Sequence, residues 1–171
     1  MIHARMNIAE IRKRSVPLCL AHRRFNKVFG IGANKTGTTT LKAIFQILGL
    51  RVAPEQEGAL LGVPFLKGHH QGLVDYIHRH DAFQDHPFSL KTTYAQVDAL
   101  FPGSRFILTH REPGAWFRSV TGYARKSLGL ADGVPVTRDL IRRKPYLYPG
   151  YREFIHEATF LADVDDALAL R

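Results

Sequence analysis

The order of apolar and polar positions near residue 30 predicts a strand, a turn and a helix. Residues 27–32 form a short apolar run that is typical of a buried strand, and a glycine-rich turn over residues 32–37 follows it. Residues 38–48 carry apolar side chains at the spacing of one helical face: Leu41, Ile44, Phe45 and Leu48. Gly49 is a suitable residue to end that helix.

The second half of the chain repeats this pattern. Residues 94–100 predict a helix, the apolar run 105–109 predicts a strand, and Pro113 is well placed as the first residue of another helix. A strand end is also indicated at Phe83, before a turn at Pro87. Strands that alternate with helices predict an α/β fold with a mainly parallel central sheet flanked by helices.

The remaining segments give less regular patterns. Residues 51–72 are rich in glycine and proline and are interpreted as a loop with short helical pieces, and residues 129–150 are interpreted as a loop. A helix is predicted to start near Leu73, and a last helix is predicted from about Tyr151 onward.

Composition indicates a folded chain with an anionic partner. The chain has 171 residues, which suits one domain, and 45% of them are hydrophobic. Its 24 Lys and Arg outnumber 15 Asp and Glu, and such a basic surplus attracts nucleotides, nucleic acids, membrane surfaces or anionic substrates. The single cysteine, Cys19, excludes an internal disulfide framework and a cysteine-based zinc site. No apolar run reaches the ~20 residues that span a bilayer.

Residues 1–24 form a basic zone that differs in composition from the rest of the chain. Pro17 and the charged residues after it do not fit the long apolar segment of a secretory signal. We therefore interpret residues 1–24 as an N-terminal extension or a first helix, and residues 25–171 as a single domain.

The turn after the first predicted strand has the residues of an anion-binding site. Backbone N–H groups at a helix start and the helix dipole attract anions, and glycines let the backbone approach them closely. The segment adds an ammonium group, a glycine and four hydroxyls: Lys35, Thr36, Gly37, Thr38, Thr39 and Thr40. Since threonine is only a middling helix former, three of them in the first turn favour a role as hydroxyl donors.

This loop departs from the common nucleotide-binding motif G-x-x-x-x-G-K-[ST]. Gly32 and Gly37 have the right separation, but Thr38 occupies the position of the lysine. The strand over residues 105–109 leads to Arg111 instead of the acidic residue that would hold Mg²⁺. A second anion therefore fits this strand end better than a metal.

Arg111 and Ser119 are eight residues apart, and a guanidinium with a hydroxyl can clamp a phosphate. The chain combines K-T-G-T-T at residues 35–39 with F-P-G-S-R-F-I-L-T-H-R-E-P-G-A-W-F-R-S at residues 101–119. This combination resembles the sulfotransferases that use 3′-phosphoadenylyl sulfate (PAPS). The resemblance covers residues 27–128 and implies a P-loop-containing three-layer fold.

The resemblance also implies a role for each of these residues. The loop would hold the 5′-phosphosulfate, with Lys35 on the oxygen that bridges to the sulfate and the N–H groups and hydroxyls of residues 36–40 around the phosphate. Arg111 and Ser119 would bind the 3′-phosphate, which distinguishes PAPS from ATP. Because sulfuryl transfer moves less charge than phosphoryl transfer, no metal is required. The product would be 3′-phosphoadenosine 5′-phosphate (PAP).

An acceptor must lose a proton as it attacks sulfur, so a base is expected within reach. The tract of interest among nine histidines is F-Q-D-H-P, residues 83–87. Similar family members carry a histidine two residues before a proline here, and related branches carry D-x-P. That spacing gives Asp85 the base position. His86 is the alternative, or is a turn histidine beside Pro87.

The resemblance thus implies an enzyme that moves a sulfuryl group from PAPS to an unknown hydroxyl or amine acceptor. We expect a cytoplasmic location and no nucleic-acid partner. Two alternatives stay open. One is a P-loop nucleotide or small-molecule kinase, which the loop sequence disfavours. The other is a degenerate, non-catalytic sulfotransferase-like domain, because no stretch after residue 128 matches the basic one that the family carries near its C-terminus.

Overall fold

The computed structural model describes most of the chain beyond the basic N-terminal zone. The described residues are 24–90, 93–131, 133–143, 146–152 and 154–155. The interpretation of the N-terminal zone as an extension or a helix therefore concerns residues that lie almost entirely outside this part of the chain.

Helices and short strands alternate along the described chain. In order they are β1 (Val28–Gly30), α1 (Thr38–Ile47), α2 (Glu55–Leu66), α3 (Gln71–Arg79), β2 (Ala82–Phe83), α4 (Thr93–Leu100), β3 (Arg105–Ile107), α5 (Pro113–Leu128) and α6 (Arg138–Arg143). The strand at residue 28, the helix at residue 38, the strand at residue 105 and the helix that begins with Pro113 confirm the sequence predictions.

The three strands form a parallel sheet in the order β2-β1-β3. Phe29 of the central strand is aligned with Phe83 and Phe106, and its ring stacks on both, with centroids 4.8 and 5.4 Å apart. Because the strands are parallel, the segments that follow them all leave from the same edge of the sheet. The glycine-rich loop, the 84–90 segment and the 108–112 segment therefore meet there.

Successive side chains of β1 point to opposite faces of the sheet, and each face packs on helices. Val28 belongs to an apolar cluster with Leu41 and Phe45 of α1. Phe29 belongs to the larger cluster on the other face, which joins the sheet to α2, α3 and α4 through Phe65, Leu73, Ile77 and Val97. The result is the α/β arrangement of a parallel sheet between helical layers that the sequence predicts.

The interpretation of residues 51–72 as a loop with short helical pieces is wrong in part, because Glu55–Leu66 forms one helix of 12 residues. Gly58 lies so close to α3 that a Cβ there would come within 2.9 Å of the Tyr76 hydroxyl oxygen. That hydroxyl donates to the Pro54 carbonyl at 2.9 Å, just before the helix begins. Glycine thus allows close helix packing here, and the packing outweighs the low helix propensity of the residue.

The interpretation of residues 129–150 as a loop is partly wrong, since α6 lies within them. A small apolar cluster joins α5 to this segment through Ala124, Leu128, Val136 and Ile141. Residues 151–152 and 154–155 are helical, as predicted for the segment from Tyr151, and its continuation lies outside the described residues.

Candidate active site

The glycine-rich loop, residues 32–37, has an unusual backbone at two positions. Lys35 and Gly37 both adopt the left-handed conformation, with φ of 68° and 106°. The Arg111 Nη1 group donates a 3.0 Å hydrogen bond to the carbonyl of Lys35. Arg111, which is predicted to bind the second anion, is thus hydrogen-bonded to Lys35, which is predicted to bind the first anion.

Side chains after β3 hold this loop at the edge of the sheet. The hydroxyls of Thr36 and Thr109 lie 2.6 Å apart, and the Thr36 hydroxyl also bonds to the Ala33 carbonyl. Gly32 packs directly on Thr109, whose carbonyl oxygen would lie 2.5 Å from an added Cβ. A glycine is therefore required at this contact. These bonds place the Thr36 hydroxyl in the internal structure of the loop.

The start of α1 presents backbone donors next to the loop. Within the described structure no side chain caps this helix, and the first bond of the helix runs from the Leu41 N–H to the Gly37 carbonyl. The N–H groups of residues 38–40 are thus open to an anion, as helix starts are. Thr38 is buried, whereas Thr39 and Thr40 are exposed.

A cavity of about 260 Å³ lies beside the loop, and Lys35, Asp85 and His86 all line it. One wall is a single face of α5, with Val120, Tyr123, Ala124, Ser127 and Leu128 at helical spacing. The Lys35 ammonium nitrogen lies 4.4 Å from the centroid of the Tyr123 ring. The structure thus brings the loop lysine and both candidates for the general base, Asp85 and His86, to one cavity.

The carboxyl group of Asp85 has a pKa just below neutral pH. Burial, and next the charge of Glu55, raise the pKa of its carboxyl to about 6, against smaller lowering effects of the His86 N–H, Lys35 and Lys42. Glu55 forms an ion pair with Lys42 at 2.7 Å. A carboxylate with a pKa near 6 is largely ionised at pH 7 and still accepts a proton readily, as a general base must.

His86 is placed differently, although it is adjacent. Its ring is buried, and burial lowers its pKa to about 4, so the imidazole is neutral at pH 7. The Nε2 atom lies 3.2 Å from the side-chain amide of Asn34, and the Nδ1 atom lies 3.5 Å from the Tyr151 hydroxyl. These contacts tie His86 to the glycine-rich loop and to the far wall of the cavity.

Backbone strain is concentrated around the cavity. Among the described residues, the non-glycine positions with positive φ are Lys35, Asp85 and Leu147, at 68°, 68° and 58°. All three line the cavity. Such conformations cost of order 1–3 kcal/mol each and are typical of functional sites.

Arg111 lies just before α5, and Ser119 lies within it. Arg111 is exposed beside the loop, and Ser119 is half-buried on the second turn of α5. No hydrogen bond joins them within the described part of the chain. Glu112 caps α5 by accepting from the N–H groups of Gly114 and Ala115, both at 2.7 Å, which lowers the pKa of its carboxyl.

Several cavity residues were not singled out by the sequence analysis. They are Glu55, Tyr123, Tyr146, Leu147, Tyr151 and Arg152. Tyr123 could have been found from the helical spacing of the α5 face. The others come from segments without a chemical motif, and their approach to Lys35 depends on tertiary packing. The described chain holds other histidines, His69, His70, His78, His80 and His110, which do not line the cavity.

In residues 24–155, where described, no group of three or more His, Cys, Asp or Glu side chains is placed to hold a metal ion. Over the same described ranges, no helix is both long and apolar enough to cross a bilayer.

The chain matches a known protein family over most of its length. The model of a family described as "Sulfotransferase domain" matches residues 27–160, which include all the candidate site residues above. No curated protein sequence matches the chain.

Proposed function

The chain belongs to the sulfotransferase domain family, and on that premise we propose that it transfers a sulfuryl group from PAPS to a hydroxyl or amine acceptor. The observation that carries the proposal is that Lys35 contacts both Arg111 and the cavity. Its backbone carbonyl is bonded to Arg111, and the residue lines the cavity together with Asp85. One lysine therefore faces both the proposed donor site and the proposed acceptor site.

The donor side is suited to an anion with two separate charged groups. The open N–H groups of residues 38–40 and the Lys35 ammonium would bind the 5′-phosphosulfate. Arg111, with Ser119 further along α5, would bind the 3′-phosphate. Since Arg111 is exposed, it can exchange its bond to the loop carbonyl for a phosphate.

The acceptor side needs a proton acceptor and a place for a small molecule. We assign the first role to Asp85 and the second to the cavity. As the acceptor oxygen or nitrogen forms its bond to sulfur, its proton passes to the Asp85 carboxylate. The bond between sulfur and the bridging oxygen breaks, and Lys35 stabilises the negative charge that this oxygen acquires. His86 is neutral and orients the loop through Asn34.

Ligand-dependent unfolding temperatures test the proposal against its alternatives. PAP should raise the unfolding temperature of the protein, whereas ATP with Mg²⁺ should have a smaller effect. Stabilisation by ATP with Mg²⁺ alone would favour a kinase, and no effect of either nucleotide would favour a non-catalytic domain. Mass spectrometry of small molecules that remain bound after gentle purification gives an independent answer, with PAP as the expected ligand.

A further inference from the structure

Arg152 lies in the cavity wall and has no role in the chemistry assigned so far. Its Nη1 group donates to the Ser127 hydroxyl at 2.9 Å, and its guanidinium carbon lies 5.1 Å from the centroid of the Tyr146 ring. The Nε atom is buried and makes no hydrogen bond within the described structure. Over the same described residues, no carboxylate lies at ion-pair distance from this guanidinium.

The position of Arg152 relative to Lys35 follows from the helix that both contact. Lys35 lies over Tyr123, and Arg152 bonds to Ser127, which is four residues further along α5. Four residues of α-helix correspond to about 6 Å along the axis. The two cations thus contact one cavity wall about one helical turn apart.

The walls between these cations are aromatic and the space is small. Tyr123, Tyr146 and Tyr151 line the cavity, whose volume of about 260 Å³ lies just below the range of about 300–1,000 Å³ that is typical of ligand pockets. Aromatic side chains favour a flat apolar ligand between them. One benzene ring spans about one helical turn between a hydroxyl and a carboxylate in the para position.

Resting on the proposed function, we propose that the acceptor is a small aryl alcohol that carries a carboxylate. Arg152 binds the carboxylate through its planar donors, which suit that group, while the hydroxyl points to Asp85 and Lys35. The cavity's acidic groups do not oppose this arrangement. Glu55 is paired with Lys42 at 2.7 Å, and the charge of Lys35 acts on Asp85 by lowering the pKa of its carboxyl.

The test compares two acceptors of the same shape, 4-hydroxybenzoate and its uncharged amide, 4-hydroxybenzamide. With PAPS as donor, the wild-type protein should sulfate the acid with a kcat/KM about tenfold or more above that of the amide. Arg152→Gln should raise KM for the acid, leave kcat nearly unchanged, and abolish the preference. Arg152→Lys, which keeps the charge, should retain part of it.

Arg143→Gln is the matched control, because Arg143 is exposed on α6 and does not line the cavity. It should leave the preference unchanged. Equal turnover of acid and amide by the wild type, or an unchanged preference in Arg152→Gln, would overturn the assignment of Arg152 and leave sulfuryl transfer intact.

Binding measured without PAPS separates this proposal from the proposed function. In NMR titrations the acid should bind the wild-type protein more tightly than the amide, and Arg152→Gln should remove the difference. Arg152-dependent binding without turnover would support the carboxylate site and count against sulfuryl transfer. Equal binding of both compounds would overturn the carboxylate site, whatever the turnover.

Discussion

The indole N–H of Trp116 donates a 2.8 Å hydrogen bond to the backbone carbonyl of Asn34. This bond attaches the first turn of α5 to the glycine-rich loop. The side chain of Asn34 lies in turn against His86, which follows β2. The loop after β1 is therefore held in place from both neighbouring strands.

Trp116→Phe should weaken PAP binding while the protein stays folded. Phenylalanine keeps most of the apolar volume but cannot donate to the loop carbonyl, and one lost hydrogen bond costs about 1 kcal/mol, or roughly fivefold in affinity. Calorimetry with PAP measures the effect. Phe117→Leu, one residue further and more exposed, is the control and should bind normally. Unchanged affinity in Trp116→Phe would show that the bond does not shape the donor site.

Lys35→Ala should reduce turnover more than it reduces donor affinity. Lys35 is proposed to act on charge that develops on the leaving oxygen, and such interactions strengthen in the transition state. A loss of about 10²–10³ in kcat is the expected scale for one such group. Lys67→Ala, at an exposed position after α2, is the control. A mutant that keeps its rate at saturating PAPS and loses only affinity would make Lys35 a binding residue alone.

Asp85→Asn should abolish turnover while PAP binding survives, because the carboxylate is proposed to face the acceptor and not the nucleotide. In the wild type, kcat should fall as the pH drops below about 6, where Asp85 takes up its proton. His86→Gln should be milder, since an imidazole with a pKa of about 4 is not the group that titrates there. An inactive His86→Gln beside an active Asp85→Asn would reverse the assignment.

The same two residues should change the pH dependence of stability in opposite directions. The pKa of Asp85 is raised from 3.8 to about 6 in the folded protein, so folding is favoured at low pH and loses stability as the pH rises through that window. The pKa of His86 is lowered from 6.5 to about 4, so stability is lost as the pH falls through that window.

As the pH rises from 4 to 6, Asp85→Asn should therefore become progressively more stable than the wild type. As the pH falls from 6.5 to 4, His86→Gln should become progressively more stable than the wild type. Each change should amount to roughly 1–3 kcal/mol in the free energy of unfolding. Urea unfolding at several pH values measures both, and parallel curves for wild type and mutant would contradict the shifts.

The wild-type protein should bind PAP more tightly than adenosine 5′-phosphate, because Arg111 is proposed to contact the additional phosphate. Arg111→Gln should remove most of this difference, since a charged hydrogen bond contributes about 1.5–3 kcal/mol. Arg105→Gln replaces an exposed arginine at the start of β3 and should preserve the difference. Equal affinity of the wild type for both nucleotides would refute a two-site donor pocket.

The parts of the site that local sequence predicts are those whose chemistry lies in consecutive residues. A strand, a loop with Lys35 and a helix start are specified by glycine spacing, hydroxyls and apolar periodicity within about twenty residues of chain. Pro113 likewise marks the start of α5, and Glu112 completes its cap. Local preferences and tertiary structure agree at these positions.

The acceptor side could not be predicted in the same way. Arg152 bonds to Ser127 of α5, which lies 25 residues earlier in the chain, and no local pattern encodes such a contact. Gly58 contributes to an incorrect prediction, because glycine is typical of loops. In the structure its missing side chain allows two helices to pack closely. A single sequence does not show which distant segments of the chain lie next to each other in the fold.

The left-handed backbone at Lys35, Asp85 and Leu147 has a consequence for protein engineering. Glycine adopts this conformation without a steric penalty, so Leu147→Gly can relax the backbone at the cost of an apolar side chain. The same exchange at Lys35 or Asp85 would remove the ammonium or the carboxylate that the proposed chemistry uses. Within the described residues, attempts to make this protein more heat-resistant by relieving positive-φ strain at non-glycine residues therefore have one position to change and two to keep.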